Sequence, residues 1–457
     1  MIKEIAIEKV FLFISLVFGL IYVLILPPFQ SVDEASHFYR GYSIVLNKPI
    51  AKNVKGQIGE YLPTSLQKLA SNYDFLIKNT DAKINPKYIL DSASIKLNPD
   101  KVEFVNFQNT ALYSPVSYLT QIPGMYIAKM FDTNPLLIFY LGRLSNLLGF
   151  TLLIYFAIKT IPFYKLTTML LALMPMSLSL AGSLTSDVMV IGLNFLWVAV
   201  LLKLLFEKTK INNLQILGLI TLATILALSK HYFLLIPLIF LLPKSKFESI
   251  SKYATCTLGV ILASVIGLLL WQNAINIMSF DMNPNSNSTA QLAFIIHNPI
   301  SYMIILLKTL IIKTPRIFIT MIGVLGWQDT RLDFLTYIIY PILIILSLFT
   351  DKTDFKFEKW QIYLIALDVI FSVYLIFTNM YLMWSAVASP IIYGLNGKYF
   401  TPIMLPFLLL FFGQKKTTLP EQTKMFIFIA IILILISSDL SILHRFYGLT
   451  PNLYYKI

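Results

Sequence analysis

The 457-residue sequence has one cysteine, four histidines and only 13% charged residues. With Cys256 as the single thiol, an intrachain disulfide and a thiolate metal cluster are both excluded. The chain carries no phosphate-binding P-loop, no dinucleotide glycine fingerprint, no HExxH and no EF-hand loop. Nucleotide enzymes, zinc proteases and calcium sensors that declare themselves by such motifs are therefore not indicated. No internal repeat and no coiled-coil heptad run is present either.

What the sequence has in abundance is apolar surface, at 57% hydrophobic and 14% aromatic residues. No soluble domain hides that much, so the lipid bilayer is the expected solvent. Segments long and apolar enough to cross fall near 10–27, 135–158, 166–184, 187–206, 213–229, 232–243, 254–272, 334–350, 359–381, 401–413 and 424–443. The first is expected to be a retained helix, because no small-residue cleavage site follows it. Lysines occupy every second short connection: Lys3 and Lys9; Lys159 and Lys165; Lys208 and Lys210; Lys244, Lys246 and Lys252; Lys352, Lys356 and Lys359; Lys415, Lys416 and Lys424. The positive-inside rule then places the N-terminus in the cytoplasm and the C-terminus outside, with about eleven spans. The net charge of +13 is first of all this lysine pattern, and nucleic acid is not an expected partner.

Residues 299–320 break the pattern, because Lys308, Lys313 and Arg316 interrupt an apolar run and Pro315 divides it. Counting it as a span would put every later lysine cluster outside. On a helical wheel Lys308, Thr309, Lys313, Arg316 and Thr320 share one side, which predicts a helix lying in the outer interface. Three substantial outer segments result: 28–134, 273–333 (containing the interfacial helix) and 381–399. Trp271, Trp327, Trp360 and Trp384 fall near predicted span ends, where indole rings anchor.

The stretch "PPFQSVDEASHFYR" begins where the first apolar run stops. Pro27 and Pro28 end the helix, and Ser31 with Glu34 three residues later reads as a capping box for a new helix from Val32. In that helix Asp33, His37 and Arg40 share a face, while Glu34 points elsewhere. Acidic residues in a first turn also simply complement the helix dipole. Two considerations favour chemistry here. A carboxylate beside lipid tends toward a raised pKa, which suits a general base. All four histidines (His37, His231, His297, His444) also map to the outer side.

Further polar residues map outward. Asp187 in "SLTSDVMV" is either capped by Ser186 or functional. Lys230 and His231 occupy a tight turn, "GVLGWQDT" carries Trp327 and Asp329, and "GLNGKYFTP" carries Asn396, Lys398 and Tyr399. Arg143 sits near the outer end of the second span, placed to snorkel or to meet an anionic lipid. A divalent metal held by His37 and Asp33 stays open, against a plain hydrogen-bonded pair at that spacing.

Together these motifs resemble, nearly end to end, the bacterial membrane family known as domain of unknown function 2142, of the GT-C glycosyltransferase class. The resemblance rests on six stretches in order: "VDEASHFYR", "NTALYSPVSYLTQIPG", "GRLSNLLG", "ALMPMSLSLAGSLTSD", "GVLGWQDT" and "GLNGKYFTP". It implies an all-α, GT-C-like polytopic protein of the bacterial cytoplasmic membrane. Its long first outer loop would carry an acidic residue near the membrane face. The implied reaction moves a sugar from a polyprenyl-phosphate carrier to a cell-surface glycan or glycolipid on the outer side. Asp33 and Glu34 fall on the family's acidic pair, with Asp33 as the base and Glu34 or His37 orienting. Arg40, Arg143, Asp187, Lys230, His231, Lys313, Arg316, Trp327, Asp329, Asn396, Lys398 and Tyr399 are the expected substrate contacts. Lys398 stands where arginine is common, Asn396 where glutamine is, and Val32 where proline is. Asp333 lies near a common proline. The lysine keeps a charge for phosphate but loses the bidentate fork. A flippase, transporter or polymerase for a lipid-linked glycan is the alternative.

Overall fold

The computed structural model describes residues 6–131, 134–230, 233–275, 285–350, 355–411 and 419–449. Six helices have the length and apolarity to cross a bilayer: Ile7–Ile25, Pro135–Thr160, Asp187–Phe206, Ile250–Ile275, Lys359–Trp384 and Glu421–Tyr447. A seventh crossing is available if Ser288–His297 and Pro299–Gly323, bent by 109° at Asn298, count as one. The molecule is a mostly helical membrane protein.

The other expected spans fall on shorter or broken helices, and prolines account for most of the breaks. Segment 166–184 is two helices, Lys165–Ala172 and Pro175–Ala181. Pro175 lacks the amide that would continue the first of them. Its apolar character reflects burial within protein, since nearly every side chain there is enclosed. Within 232–243 the described residues hold the 3₁₀ turn Ile236–Leu241, which includes Pro237. Thr401–Leu409 contains Pro402 and Pro406 and has nine residues. Asn213–Leu228 and Phe334–Ser347 are continuous, with 16 and 14 residues.

Contacts sort the helix ends into two groups. At one end, Trp271 near the end of Ile250–Ile275 donates to the Leu112 carbonyl at 2.9 Å. Arg445 near the end of Glu421–Tyr447 donates to the Leu76 carbonyl at 2.9 Å. The start of Asp187–Phe206 meets Lys398 at the same end. At the other end, the Ile211 amide donates to Lys246 at 2.8 Å, and that of Leu419 to Phe349 at 2.9 Å. Segment 28–134 packs over the first end.

Within the mostly helical fold, this segment adds a small three-stranded antiparallel sheet. Strands Lys52–Val54, Gln57–Pro63 and Val102–Asn106 are paired in that order. Lys55 and Gly56, at φ 51° and 84°, form the two-residue turn between the first two strands. Positive φ at both positions matches the twist of a tight hairpin.

Helix Pro299–Gly323 runs along the end of Lys359–Trp384 and the loop after it. Tyr302 meets Thr378 at 2.6 Å, Thr309 accepts from the Ile392 amide at 3.1 Å, and Thr320 from the Gly397 amide at 2.8 Å. The wheel side expected to be uniformly polar is divided in the fold. Thr309 and Thr320 face protein, Lys308 and Arg316 are exposed, and Lys313 lies over the Tyr393 ring at 5.6 Å.

Candidate functional site

The two carboxylates of "VDEASHFYR" have opposite fates. Helix Glu34–Val45 begins two residues later than the capping box requires, and Asp33 is its N-cap in the left-handed region at φ 61°. Neither Ser31 nor Asp33 caps it through a side chain. Glu34 is fully buried and held by Arg143, whose Nε and Nη2 donate to its two oxygens at 2.8 and 2.7 Å. The Leu184 amide donates to the same carboxylate at 2.9 Å.

Arg143 has a second task. Pro27 and Pro28 stop the first span, and the carbonyls of its last turn have no amide donors following. Arg143 serves two of them, donating to Leu26 at 2.7 Å and to Val23 at 3.2 Å, and also reaches Pro27 at 3.2 Å, which accepts from the Gln30 amide as well. All five guanidinium N–H groups are thereby used. The pair is enclosed structure, so neither the snorkelling expected of Arg143 nor a substrate-facing Glu34 is realised.

Asp33, by contrast, is partly exposed. Its left-handed backbone turns the carboxylate from the capping position to Asn109, whose Nδ2 donates to it at 3.1 Å. Aspartate tolerates this conformation better than most residues. Around it the chain gathers groups from distant segments. Asp187 opens its helix without a side-chain cap from Ser186. It instead pairs with Lys230, and with Lys398 at 2.8 Å. Lys230 lies over the rings of Tyr113 and Tyr399 at 5.4 and 5.9 Å, and its amide donates to Ser117 at 2.8 Å. Burial alone would lower the Lys398 ammonium, but Asp187, with help from Tyr399 and Asp33, holds it above the ordinary lysine range.

His37 sits behind this group, 3.1 Å from the Tyr118 hydroxyl and stacked against Tyr113. Burial, then the charge of Lys230, lowers its pKa to about 3, so it is neutral at physiological pH. The unfolded chain protonates this histidine below about 6.5 and the folded chain does not. Stability is therefore expected to fall as pH drops from about 6.5 toward 3. His37→Gln should flatten that part of the melting-temperature profile, and an identical profile would show that His37 is not the source.

Arg40 is buried on the same helix face, donating to the Tyr113 carbonyl at 2.8 Å. Burial lowers it to about 10, so it stays charged. Asn396 accepts from the Lys398 amide at 3.0 Å and so shapes the turn that presents it. Gly397 makes that turn possible. A Cβ there would lie 2.1 Å from the Met321 nitrogen and 2.2 Å from the Ile317 oxygen. Gly397→Ala is thus expected to cost about 1–3 kcal/mol and to displace Lys398. A melting temperature unchanged from the parent would show that the turn has room.

Other expected contacts lie elsewhere. Asp329 is bound by Arg445 at 2.7 Å, and Trp327 donates to the Phe29 carbonyl at 3.0 Å. Both tie the hairpin Val324–Leu325 and Thr330–Arg331 to its surroundings. Lys313 and Arg316 belong to the helix flank already described. His297 turns to the Ala293 carbonyl of its own helix, and His231 lies outside the described residues. Sequence reasoning missed Asn109, Tyr113, Ser117 and Tyr118 as individual residues. All four belong to the quoted stretch "NTALYSPVSYLTQIPG", whose polar and aromatic density was the available signal.

No group of three or more His, Cys, Asp or Glu suited to a metal occurs among the described residues. The geometry disfavours a cation here. Two ammonium groups already flank Asp187, and His37 and Asp33 are engaged by Tyr118 and Asn109 instead of each other. An apolar recess of about 450 Å³ lies elsewhere at this end, between Leu24, Leu136, Leu443 and Tyr447.

A family model described as "Predicted membrane protein (DUF2142)" matches residues 16–408. No curated protein and no solved structure matches the chain.

Proposed function

The chain belongs to the DUF2142 family of predicted membrane proteins, and on that premise we propose that it is a GT-C-type glycosyltransferase of the bacterial cytoplasmic membrane. It takes a sugar from a polyprenyl-phosphate carrier and passes it to a cell-surface glycan or glycolipid. The observation that carries this reading is the grouping of a partly exposed Asp33 with Lys230, Lys398 and neutral His37 at one end of the helix bundle.

In this reading that end lies outside the cytoplasm. The lysine-bearing connections around Lys210 and Lys246 gather at the opposite end, as cytoplasmic loops should. Lys230 and Lys398 balance the donor phosphate as its charge develops. The acceptor hydroxyl oxygen forms a bond to the anomeric carbon from the face opposite the phosphate. The carbon–oxygen bond to phosphate breaks with its electron pair, leaving polyprenyl phosphate. The hydroxyl proton passes to the Asp33 carboxylate, and the anomeric centre inverts. Neutral His37 orients the acceptor.

A lipid-linked glycan flippase is a second reading. It is favoured by Asp368, buried within Lys359–Trp384 with both carboxylate oxygens unpaired among the described residues. An unpaired intramembrane acid is a common mark of a transport pathway. Comparing cell-surface glycans and lipid-linked precursors with and without the protein separates the two. A missing branch sugar supports transfer, and accumulation of precursor on the cytoplasmic side supports flipping. An unaltered surface removes both.

A further inference from the structure

A second polar recess, of about 540 Å³, lies in the outer segment and shares no residue with the Asp33 group. It is lined by Thr64, Ser65, Lys68, Ser94, Lys96, Asn98, Lys101 and the apolar Ile95. The volume is within the range of small-molecule sites. Three lysines, Lys68, Lys96 and Lys101, line it, and no lining side chain is acidic. Among the described residues none of the three lysines is within ion-pair distance of a carboxylate. Lysines on a solvated face explain surface charge, but they do not explain what lies beneath them.

Two further features point inward to a ligand. Helix Thr64–Ser71 begins at the recess with Pro63 as its N-cap, a residue with no side-chain acceptor. The Thr64 amide is taken by the Lys101 carbonyl at 3.0 Å, but the next first-turn amides have no intrahelical acceptor. The positive end of the helix dipole therefore faces the recess. Independently, Ser65 is 6% exposed, and its buried hydroxyl has no hydrogen-bond partner. A buried hydroxyl without a partner costs about 1–3 kcal/mol, and an oxyanion acceptor in the recess would satisfy it. Asn98 accepts from the Lys101 amide through Oδ1, which leaves its side-chain amide able to donate.

We propose that this recess binds the phosphate of a phosphorylated saccharide or lipid headgroup, contacted by Lys68, Lys96, Lys101 and the Ser65 hydroxyl. The site is separate from the proposed transfer centre and stands whether or not transfer occurs.

The test is calorimetric titration of inorganic pyrophosphate into the full chain, held in nanodiscs of phosphatidylcholine. Binding that weakens with salt is expected for the wild type. The triple variant Lys68→Gln, Lys96→Gln, Lys101→Gln should bind at least about tenfold more weakly, as expected for losing several charge-assisted contacts. Ser65→Ala should lose severalfold without altered salt dependence. Absence of binding to the wild type, or equal binding by the triple variant, overturns the site. Because the three lysines are exposed, their replacement leaves the fold intact, which a matched melting temperature verifies. Repeating the titration in phosphatidylglycerol nanodiscs identifies the source. Loss of pyrophosphate binding there assigns the phosphate to a membrane headgroup, and retained binding assigns it to a saccharide arriving from solution.

Discussion

Replacing Asp33 with asparagine is expected to lower sugar transfer by about 10²–10⁴-fold, the usual contribution of a positioned general base, with insertion and melting temperature unchanged. The physical case rests on what the substitution keeps. Asparagine adopts the left-handed backbone as readily as aspartate. Its Oδ1 can still accept from Asn109 Nδ2, the 3.1 Å contact that orients the side chain. Lys398 loses only a minor electrostatic partner, because Asp187 is its main one. What disappears is the capacity to take a proton. The measurement is transfer from a radiolabelled polyprenyl-phosphate sugar by the protein in liposomes. A rate within tenfold of the parent would take the base role from Asp33. Loss of transfer together with loss of melting temperature would show a structural role instead.

The second large effect is on stability, and it concerns the neighbouring acid. Arg143→Ala is expected to destabilise the protein by about 3–5 kcal/mol, the usual consequence of leaving one member of a buried ion pair without its partner. Glu34 would remain fully buried, with only the Leu184 amide as a donor. The carbonyls of Val23 and Leu26 would also lose their donor, at the place where prolines have already removed backbone amides. Arg143→Lys should recover little, because an ammonium cannot span five acceptors in the geometry of a guanidinium fork. Glu34→Gln should be milder than Arg143→Ala, since an amide still occupies the carboxylate's place. Thermal unfolding in detergent reads all three. A melting temperature for Arg143→Ala near that of the parent would mean that water reaches and solvates this pair.

These two expectations divide the acidic pair in a way that the local sequence resists. Adjacent carboxylates after a proline stop, followed by histidine and arginine, are legible as an unusual cluster, and the capping-box pattern makes Glu34 the natural cap. The fold discards that cap. Arg143, 109 positions away, captures Glu34, and the helix begins at Glu34 itself. Similarly, Asp187, Lys230 and Lys398 each read as an isolated charge near a span end. Their ion pairs join positions more than 40 residues apart, beyond the reach of any helical periodicity. Trp327 and Asp329 read as equally chemical, yet hydrogen bonds to Phe29 and Arg445 make them fasteners of a hairpin.

The span pattern shows the same division. Hydropathy identified apolar segments, and six of them are helices of crossing length. It does not separate a side chain facing lipid from one facing protein, since both environments select the same residues. Segment 166–184 accordingly reads as one apolar run, whereas Pro175 divides it into two short helices enclosed by neighbours.

By itself, the sequence determined that the protein resides in a membrane and that an unusual cluster of polar residues follows the first apolar segment. Those properties follow from composition and local order, where each residue's free energy depends mainly on its solvent. Only the tertiary structure decided that Asp33 stays available while Glu34 is consumed, and which lysines stand beside it. That outcome depends on pairing across the whole chain: a buried charge must find its counter-charge, and only the packed helices determine which one is within reach.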